Sequence, residues 1–340
     1  MKTVFVGLSG GVDSAVAAYL LKKEGHKVTG VFIKGWEPSW LPCTGTEDRL
    51  SAMRVAAHLE IPFVTYDLSE EYKKFVVDYF VSEYRAGRTP NPDVVCNRTI
   101  KFGAMWERAQ ADGADYIATG HYAATDGASL LVSADPAKDQ TYFLWTLTKD
   151  DLNHVLFPIG KYKKSEVRKV AEKVGLPNFA RKDSQGLCFL GHVDMHEFLK
   201  RYIPPQTGII YDTSGRNVGE HDGAWYYTLG QHVPLSGSTR QYVIAKDVRR
   251  NQLTVGTRAV PPPGGRVYEL TGTSWVSGAA PTGAVLVQYR YHGPLILATV
   301  SSDAVTFSEL VLAAEGQSLV VYSRDKSICM GGGIIGPCRK

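Results

Sequence analysis

A glycine-rich turn, Ser9-Gly10-Gly11-Val12-Asp13-Ser14, lies between an apolar strand and a helix near the start of the chain. Lys2 to Val6 has the pattern of a short buried strand, and Val12 to Glu24 has that of a helix ended by Gly25. Glycines let backbone N–H groups approach a phosphate, and the following helix N-terminus supplies partial positive charge and unpaired donors. Because open α/β sheets bind nucleotides at the carboxyl end of the first strand, the turn predicts a phosphate site on a parallel sheet.

The turn differs from the two commonest nucleotide-binding loops. The chain contains no GxxxxGK[ST] string, which excludes a Walker A loop, and Gly7, Gly10 and Gly11 do not have the spacing of a dinucleotide GxGxxG fingerprint. An ordinary glycine-rich turn is the simpler alternative. The two serines, the aspartate and the position between strand and helix together favour phosphate binding.

Strand and helix patterns alternate through the first half of the chain. Further strand patterns lie at Val28 to Ile33, Pro62 to Tyr66 and Tyr116 to Thr119. The helical patterns run from about Glu47 to Leu59, from Ser69 as a candidate N-cap to about Tyr84, from about Asn97 to Ala111, and from Ser165 as a cap to Val174. This alternation is typical of βαβ units and a parallel sheet covered on both faces.

After about Tyr202 the chain consists of short strand patterns between Gly, Pro, Asp and Asn turns. Pro204-Pro205 is a candidate linker, and Pro261 to Pro263 marks a second candidate boundary. We therefore expect an α/β fold with a nucleotide-binding domain at 1–200, a small β-rich central domain at 201–262 and a C-terminal β-barrel at 263–340.

Composition restricts the compartment and the cysteine chemistry. The net charge of +4 is compatible with a polyanionic partner but does not indicate one by itself. No apolar run reaches the length of a membrane span and Met1 to Gly7 does not resemble a signal peptide, so we expect a cytoplasmic protein without a membrane partner. Five scattered cysteines without a CxxC pair argue against a disulfide scaffold and a structural zinc site. Ordinary packing is the simpler interpretation of Cys43, Cys329 and Cys338.

Two other cysteines stand in strings that suggest chemistry. Cys96 follows Asn91-Pro92-Asp93-Val94-Val95, and we expect it at the start of a helix, where the helix dipole lowers a thiol pKa and favours the nucleophilic thiolate. Asp93, one turn earlier, is a candidate acid or base. Cys188 lies in Asp183-Ser184-Gln185-Gly186-Leu187-Cys188, a glycine-containing loop that predicts an exposed and mobile thiol.

These strings resemble those of a known enzyme family. Ser9 to Ser14 resembles the PP-loop of ATP pyrophosphatases, which cut ATP between its α and β phosphates. Together with the two cysteine strings, Ala118 to Tyr122, Lys138 to Leu144 and the C-terminal Cys329 to Ile335, it makes nearly the whole chain similar to the tRNA-specific 2-thiouridylases. The resemblance implies a PP-loop domain with a parallel sheet, a β-rich middle domain and a C-terminal barrel.

The resemblance also implies roles for particular residues. Cys96 matches the family's nucleophile, Cys188 its persulfide carrier, and Asp93 a candidate acid or base. The positions that match ATP contacts are Gly7, Leu8, Ser9, Gly10, Gly11, Val12, Asp13, Ser14, Ile33 and Gly120. The positions that match tRNA contacts are Asn91, Pro92, Asp93, Lys138, Asp139, Gln140, Arg290 and Tyr291, with His121 and Gln317 as weaker candidates. No residue is assigned to a resident metal.

The chemistry implied by the resemblance is adenylation of a uridine C2 oxygen followed by replacement with sulfur. Mg²⁺ would neutralise charge on the departing pyrophosphate. A sulfur-donor protein, either a cysteine desulfurase or a sulfur relay protein, would leave a persulfide on Cys188. Either its terminal sulfur attacks carbon 2 directly or Cys96 first releases hydrosulfide, and both routes end in a Cys96–Cys188 disulfide that a reductant resets.

The resemblance also implies an RNA substrate, and two alternative functions remain. The substrate would be the wobble uridine of tRNAs for lysine, glutamate and glutamine, with phosphates contacted by basic residues. Candidates are Lys161, Lys163, Lys164, Arg181, Lys182, Arg249 and Arg250. One loop departs from the family pattern: His232 to Ser236 replaces a basic, glycine-rich string, which places tRNA contacts there in doubt. The alternatives are a PP-loop ligase or amidase that uses ammonia, and a catalytically inactive tRNA-binding relative.

Overall fold

The computed structural model describes residues 1–40, 45–182, 194–235, 240–257 and 265–339. The helices in these ranges are α1 (Val12–Lys23), α2 (Gly45–His58), α3 (Ser69–Tyr72), α4 (Asp78–Arg85), α5 (Pro92–Cys96), α6 (Met105–Ala111), α7 (Lys149–Leu152), α8 (Lys164–Val174) and α9 (Met195–Lys200). A π-helical segment, Lys73–Val77, joins α3 to α4, and a second one, Asn97–Ala104, joins α5 to α6. None of the described helices is long and apolar enough to cross a bilayer.

Five parallel strands form the sheet of the first domain. They are β1 (Thr3–Gly7), β2 (Lys27–Lys34), β3 (Phe63–Asp67), β4 (Tyr116–Ala118) and β7 (Val155–Leu156), in the order β3-β2-β1-β4-β7. Their apolar sequences are buried on both faces, because helices cover both sides of the sheet. The alternation predicted from the sequence is confirmed.

Three predicted helix starts are wrong by a few residues. The helix containing Cys96 begins at Pro92 with Asn91 as its N-cap, so Cys96 lies in the second turn instead of at the start. Ser69 is the first residue of α3 rather than its N-cap, and Lys163 rather than Ser165 caps α8. Local hydrogen bonds explain two of these shifts, because Asp67 Oδ1 accepts the Ser69 N–H and Glu166 Oε2 accepts the Lys163 N–H.

The middle of the chain forms a small sheet of its own. Its strands are β8 (Gly208–Tyr211), β9 (Asn217–His221), β10 (His232–Val233), β11 (Gln241–Asp247) and β12 (Gln252–Gly256), in the order β10-β11-β12-β8-β9. The segment from His232, which departs from the family's usual sequence, begins as a short strand paired with β11. Residues 236–239 lie outside the described ranges. The β-rich central unit is as expected.

The last part of the chain closes into a six-stranded antiparallel barrel. Its strands are β13 (Val267–Trp275), β14 (Ala284–Gln288), β15 (Ile296–Val300), β16 (Ala304–Phe307), β17 (Ser318–Tyr322) and β18 (Ile328–Cys338), and β13 pairs with β18 to close the ring. A hairpin from the first domain, β5 (Ala123–Thr125) with β6 (Leu130–Val132), adds to the edge of β18. The barrel is therefore hydrogen-bonded directly to the nucleotide-binding domain.

Candidate active site

The glycine turn leaves the end of β1 and enters α1 as predicted. Gly10 has φ +78°, which favours glycine, and Gly11 is the N-cap of α1. Ser14 Oγ accepts the Ser9 N–H at 3.3 Å and donates to the Gly11 carbonyl at 3.1 Å, so the two serines brace the turn from inside. Since the first N–H groups of a helix have no intrahelical acceptor, the braced turn presents an anion site.

The carbonyl of Gly10 receives three hydrogen bonds from distant parts of the chain. Ser51 Oγ donates at 2.9 Å, Asn178 Nδ2 at 2.8 Å and Arg181 Nη1 at 3.2 Å. Arg181 also forms an ion pair with Asp48 of α2. These donors hold the peptide that joins Gly10 to Gly11. Arg181, which the sequence suggested as a tRNA-phosphate contact, thus makes internal bonds to Gly10 and Asp48.

Asp13 is the acidic residue of the turn and is also held by distant groups. Lys164 Nζ lies 2.7 Å from Asp13 Oδ1 and 2.8 Å from Oδ2, and the Tyr122 hydroxyl donates to Oδ1 at 3.0 Å. Lys164 is 12% exposed, so this cation faces the turn rather than bulk solvent. Lys164, which the sequence suggested as a tRNA-phosphate contact, therefore lies against the glycine turn.

Two further ATP candidates lie at the carboxyl ends of neighbouring strands. Ile33 is buried near the end of β2, and Gly120 follows β4. A Cβ on Gly120 would lie 2.6 Å from the Ser14 nitrogen and 2.9 Å from its Cα, so only glycine allows α1 to approach this closely. The turn, the apolar side chain and the close backbone approach together fit an adenine nucleotide.

Cys96 is 1% exposed and lies at the junction of α5 and a π-helical segment. Asp93 is three residues earlier in the same helix, so both side chains lie on one helical face. The π-helical segment begins at Asn97, and single π-helical turns occur frequently at functional sites. Asp93 and Cys96 thus lie one turn apart on α5, and the Cys96 side chain is buried.

The segments predicted to contact tRNA converge around the start of this helix. Tyr291 OH donates to the Asp139 carbonyl at 3.3 Å, and the Tyr291 ring lies 4.4 Å from that of Phe143. The Asn97 amide donates to the Phe143 carbonyl at 3.0 Å. Gln317 Nε2 donates to the Thr89 carbonyl at 2.9 Å, one turn before the helix. Four segments that are distant in sequence are therefore in contact around the Cys96 helix: residues 89–97, residues 139–143, Tyr291 and Gln317.

The buried side chain of Tyr142 lies near two further candidates for tRNA contacts. The Tyr142 hydroxyl donates to the Ser318 carbonyl at 2.9 Å. Burial raises the pKa of Tyr142, and the rise is opposed by a hydrogen bond with Asn91 and by the positive charge of Arg290. Asn91 and Arg290 therefore lie near the same side chain.

Several of the predicted tRNA contacts also make internal bonds. Asp139 Oδ1 accepts the Ser133 N–H at 2.9 Å and Oδ2 accepts the Thr141 hydroxyl at 2.6 Å, while burial raises the pKa of the Asp139 carboxyl. Gln140 Oε1 accepts the Tyr122 N–H at 2.9 Å. Lys138 is exposed. Within the triplet, Lys138 is thus the exposed side chain, whereas Asp139 and Gln140 are half-buried.

His121 connects the ATP turn to the Cys96 helix. It directly follows Gly120, and its ring lies 5.8 Å from that of Phe102 in the helix after Cys96. Thr119 Oγ1 and His121 Nδ1 are 2.7 Å apart. Burial, with a smaller effect from the Lys101 charge, holds the pKa of His121 well below its usual 6.5, so the ring is neutral at physiological pH.

Cys188 and the string from Asp183 lie outside the described residues, as does Cys43. Of the other cysteines, Cys329 is fully buried in the barrel and Cys338 is half-buried in the last strand. Burial raises the pKa of the Cys329 thiol to about 12, which makes it inert. The interpretation of Cys329 as a packing residue is confirmed.

Sequence reasoning missed four groups that shape the site. Ser51 and Asn178 donate to the Gly10 carbonyl. Asp48 forms an ion pair with Arg181, and Tyr122 donates to Asp13. Tyr122 stands in the string with Gly120 and His121, and Asn178 stands just before the Cys188 string. The nearness of Tyr122 and Asn178 to those strings was the one sequence signal that could have indicated them. A single polar residue has no periodicity from which its hydrogen-bond partner can be predicted.

Comparison with known proteins identifies the family. The chain matches three family profiles, described as a tRNA methyl transferase HUP domain at residues 2–192, a tRNA methyl transferase PRC-barrel domain at 196–257 and an aminomethyltransferase beta-barrel domain at 268–335. Relatives named tRNA-specific 2-thiouridylase are 44% identical in Thiobacillus denitrificans (98% of this chain, 99% of the relative), 42% in Geobacillus kaustophilus (98% and 94%) and 43% in Nitrosomonas europaea (98% and 97%). On this evidence, the chain belongs to the tRNA-specific 2-thiouridylase family, whose members are PP-loop sulfurtransferases.

Proposed function

We propose that this protein catalyses ATP-dependent 2-thiolation of the wobble uridine in tRNAs for lysine, glutamate and glutamine. The products are 2-thiouridine, AMP and pyrophosphate. The observation that carries the proposal is the position of Gly120 and His121. Gly120 packs against the start of α1, and His121 packs against Phe102 in the helix of Cys96. One short segment thus joins the ATP turn to the nucleophile's helix, as an adenylation followed by sulfur transfer requires.

In the first step the C2 oxygen of uridine attacks the α-phosphorus of ATP, and the bond to the β-phosphate breaks. The N–H groups at the start of α1 and the Lys164 ammonium stabilise charge on the phosphates. Asp93, half-buried at the start of α5, is the candidate base for the uracil N3 proton. Mg²⁺, arriving with the nucleotide, would neutralise charge on the departing pyrophosphate, and Asp13 is not assigned to it because Lys164 binds both of its oxygens.

In the second step sulfur replaces the adenylated oxygen. A persulfide on Cys188, loaded by a cysteine desulfurase or a sulfur relay protein, provides the sulfur. Either its terminal sulfur attacks carbon 2 and Cys96 then breaks the S–S bond, or Cys96 attacks first and releases hydrosulfide. AMP leaves with the former carbonyl oxygen, Cys96 and Cys188 end as a disulfide, and an external thiol reduces it.

Domain organisation supports a tRNA substrate. Gln317 near β17 donates to the Thr89 carbonyl just before the Cys96 helix, and Tyr291 of the barrel donates to the Asp139 carbonyl of the first domain. A tRNA bound there would therefore contact two domains at once. We assign the catalytic domain to 1–200, the central domain to 201–262 and the barrel to 263–340. The cytoplasm is the expected compartment.

Sulfur rather than methyl transfer is favoured by the site. The family profiles carry methyl transferase in their descriptions, whereas the full-length relatives are named thiouridylases. Methyl transfer needs no cysteine nucleophile, whereas Cys96 stands in the string that matches the nucleophile of the thiouridylases.

The decisive experiment compares tRNA nucleosides by mass spectrometry after incubation with ATP, Mg²⁺ and a cysteine desulfurase with cysteine. Wild-type protein is expected to form 2-thiouridine. Cys96→Ser and Cys188→Ser are each expected to abolish 2-thiouridine while tRNA-dependent AMP formation stays measurable. Cys338→Ser is the matched control, because that thiol is half-buried in the last strand of the barrel and has no proposed role.

Three outcomes would overturn the proposal. Near-normal thiolation by either variant would exclude the two-cysteine mechanism. Absence of AMP formation by the wild type with every tRNA offered would favour an inactive tRNA-binding relative, whereas AMP formation that consumes ammonia without cysteine would favour a ligase or amidase.

A further inference from the structure

The loop formed by residues 133–140, which includes the proposed tRNA contacts Lys138, Asp139 and Gln140, is attached to the ATP turn through Tyr122. The Tyr122 N–H donates to Gln140 Oε1 at 2.9 Å, and the Gln140 N–H donates to the Tyr122 carbonyl at 2.9 Å. At the other end of the same residue, the Tyr122 hydroxyl donates to Asp13 Oδ1 at 3.0 Å. Tyr122 is 3% exposed, so its position is set by packing as well as by these bonds.

A second route runs from the same loop to the same carboxylate. Asp135 Oδ2 accepts the Lys164 backbone N–H at 2.8 Å, and the Lys164 ammonium binds both oxygens of Asp13 at 2.7 and 2.8 Å. Within the loop, the Lys138 N–H donates to the Asp135 carbonyl at 3.0 Å. Displacement of the loop would therefore reach Asp13 from two sides.

We infer that Tyr122 and Asp135 are positioning residues that couple occupancy of the 133–140 loop by tRNA to the affinity of the turn for ATP. The inference rests on the proposed function, since it assigns tRNA to Lys138 and ATP to the turn. tRNA phosphate on Lys138 stabilises the loop in the described conformation, in which Tyr122 and Lys164 contact Asp13. The turn is then fixed in the form that binds the triphosphate.

Coupling between two binding sites is reciprocal, which makes it measurable without any sulfur chemistry. In the wild type, the ATP dissociation constant, measured with a non-hydrolysable ATP analogue, is expected to fall about tenfold when tRNA is present. The tRNA dissociation constant is expected to fall by the same factor when the analogue is present. One hydrogen bond to a charged group accounts for about a tenfold change.

Tyr122→Phe removes only the hydroxyl that reaches Asp13, and its ratio of ATP dissociation constants without and with tRNA is expected to fall to about one or two. The matched control is Tyr268→Phe, which removes a buried hydroxyl bonded at 2.7 Å to the Val311 carbonyl in the barrel, and its ratio should equal that of the wild type. Asp135→Ala tests the second route with the buried tyrosine intact and is expected to lower the ratio as well.

The outcomes separate the inference from the proposed function. A wild-type ratio of one, with both ligands bound, would overturn the coupling and leave the thiolation proposal standing. An unchanged ratio in both Tyr122→Phe and Asp135→Ala would overturn the assigned routes. Failure of the wild type to bind tRNA at all would contradict the proposed function itself.

Discussion

Replacing Gly10 with alanine tests whether the shape of the turn, rather than glycine flexibility in general, creates the ATP site. Gly10 has φ +78°, and a Cβ there would lie 2.6 Å from the Asp48 carbonyl oxygen, 2.9 Å from Arg181 Nη1 and 3.1 Å from Ser51 Cβ. The carbonyl belongs to the backbone of α2 and cannot rotate away. The added methyl must therefore move the turn itself.

The size of the effect follows from two separate costs. A left-handed conformation costs an L-residue about 1–2 kcal/mol, and an extra methyl in a tightly packed place costs about 1–3 kcal/mol more. We expect Gly10→Ala to lower the free energy of unfolding by about 2–5 kcal/mol. Movement of the turn should also weaken ATP binding at least about tenfold, because about 1.4 kcal/mol corresponds to a factor of ten.

Gly113→Ala is the matched control. Gly113 has a similar φ, +89°, but a Cβ there meets no atom within 4 Å. Only the conformational cost of about 1–2 kcal/mol applies, and ATP affinity should remain that of the wild type. Urea unfolding and calorimetric titration with a non-hydrolysable ATP analogue measure the two quantities. Equal losses of ATP affinity in both variants would refute the role of crowding around Gly10.

Two further predictions concern stability. Trp145 is 1% exposed, and its Nε1 donates to Ser318 Oγ at 3.0 Å across the contact between the first domain and the barrel. Trp145→Phe should therefore lower the free energy of unfolding, measured in urea, by about 2–4 kcal/mol. An unchanged free energy of unfolding would show that this contact does not contribute to stability. Because the pKa of His121 is depressed in the folded state, its contribution to stability is complete above about pH 6.5 and is lost as the pH falls toward the folded pKa. His121→Asn should therefore flatten the pH dependence of the unfolding free energy below about pH 6.5, and an unchanged slope would contradict neutral burial of the ring.

The sequence was informative wherever one segment determines its own structure. The apolar strand before Ser9 and the helix after Gly11 predicted the phosphate turn, because strand and helix patterns are local and the glycines are needed there for backbone reasons. The proline and glycine turns likewise predicted the change to β-structure after Tyr202. The string around Cys96 identified the thiol but placed the helix start five residues too late, since the Asn91 cap was not recognised.

Only the tertiary structure decided which distant groups complete the site. Asn178 and Arg181 bind the Gly10 carbonyl from 168 and 171 residues away, and Lys164 reaches Asp13 across 151 residues. The β5–β6 hairpin joins the barrel in the same way, through backbone bonds that no side-chain pattern announces. A periodic apolar pattern specifies which face of an element is buried, whereas a hydrogen-bond donor or a charge can be satisfied by any suitable partner. The chain therefore encodes its turn and its thiol locally, and packing of the sheet, helices and barrel selects the partners that hold them.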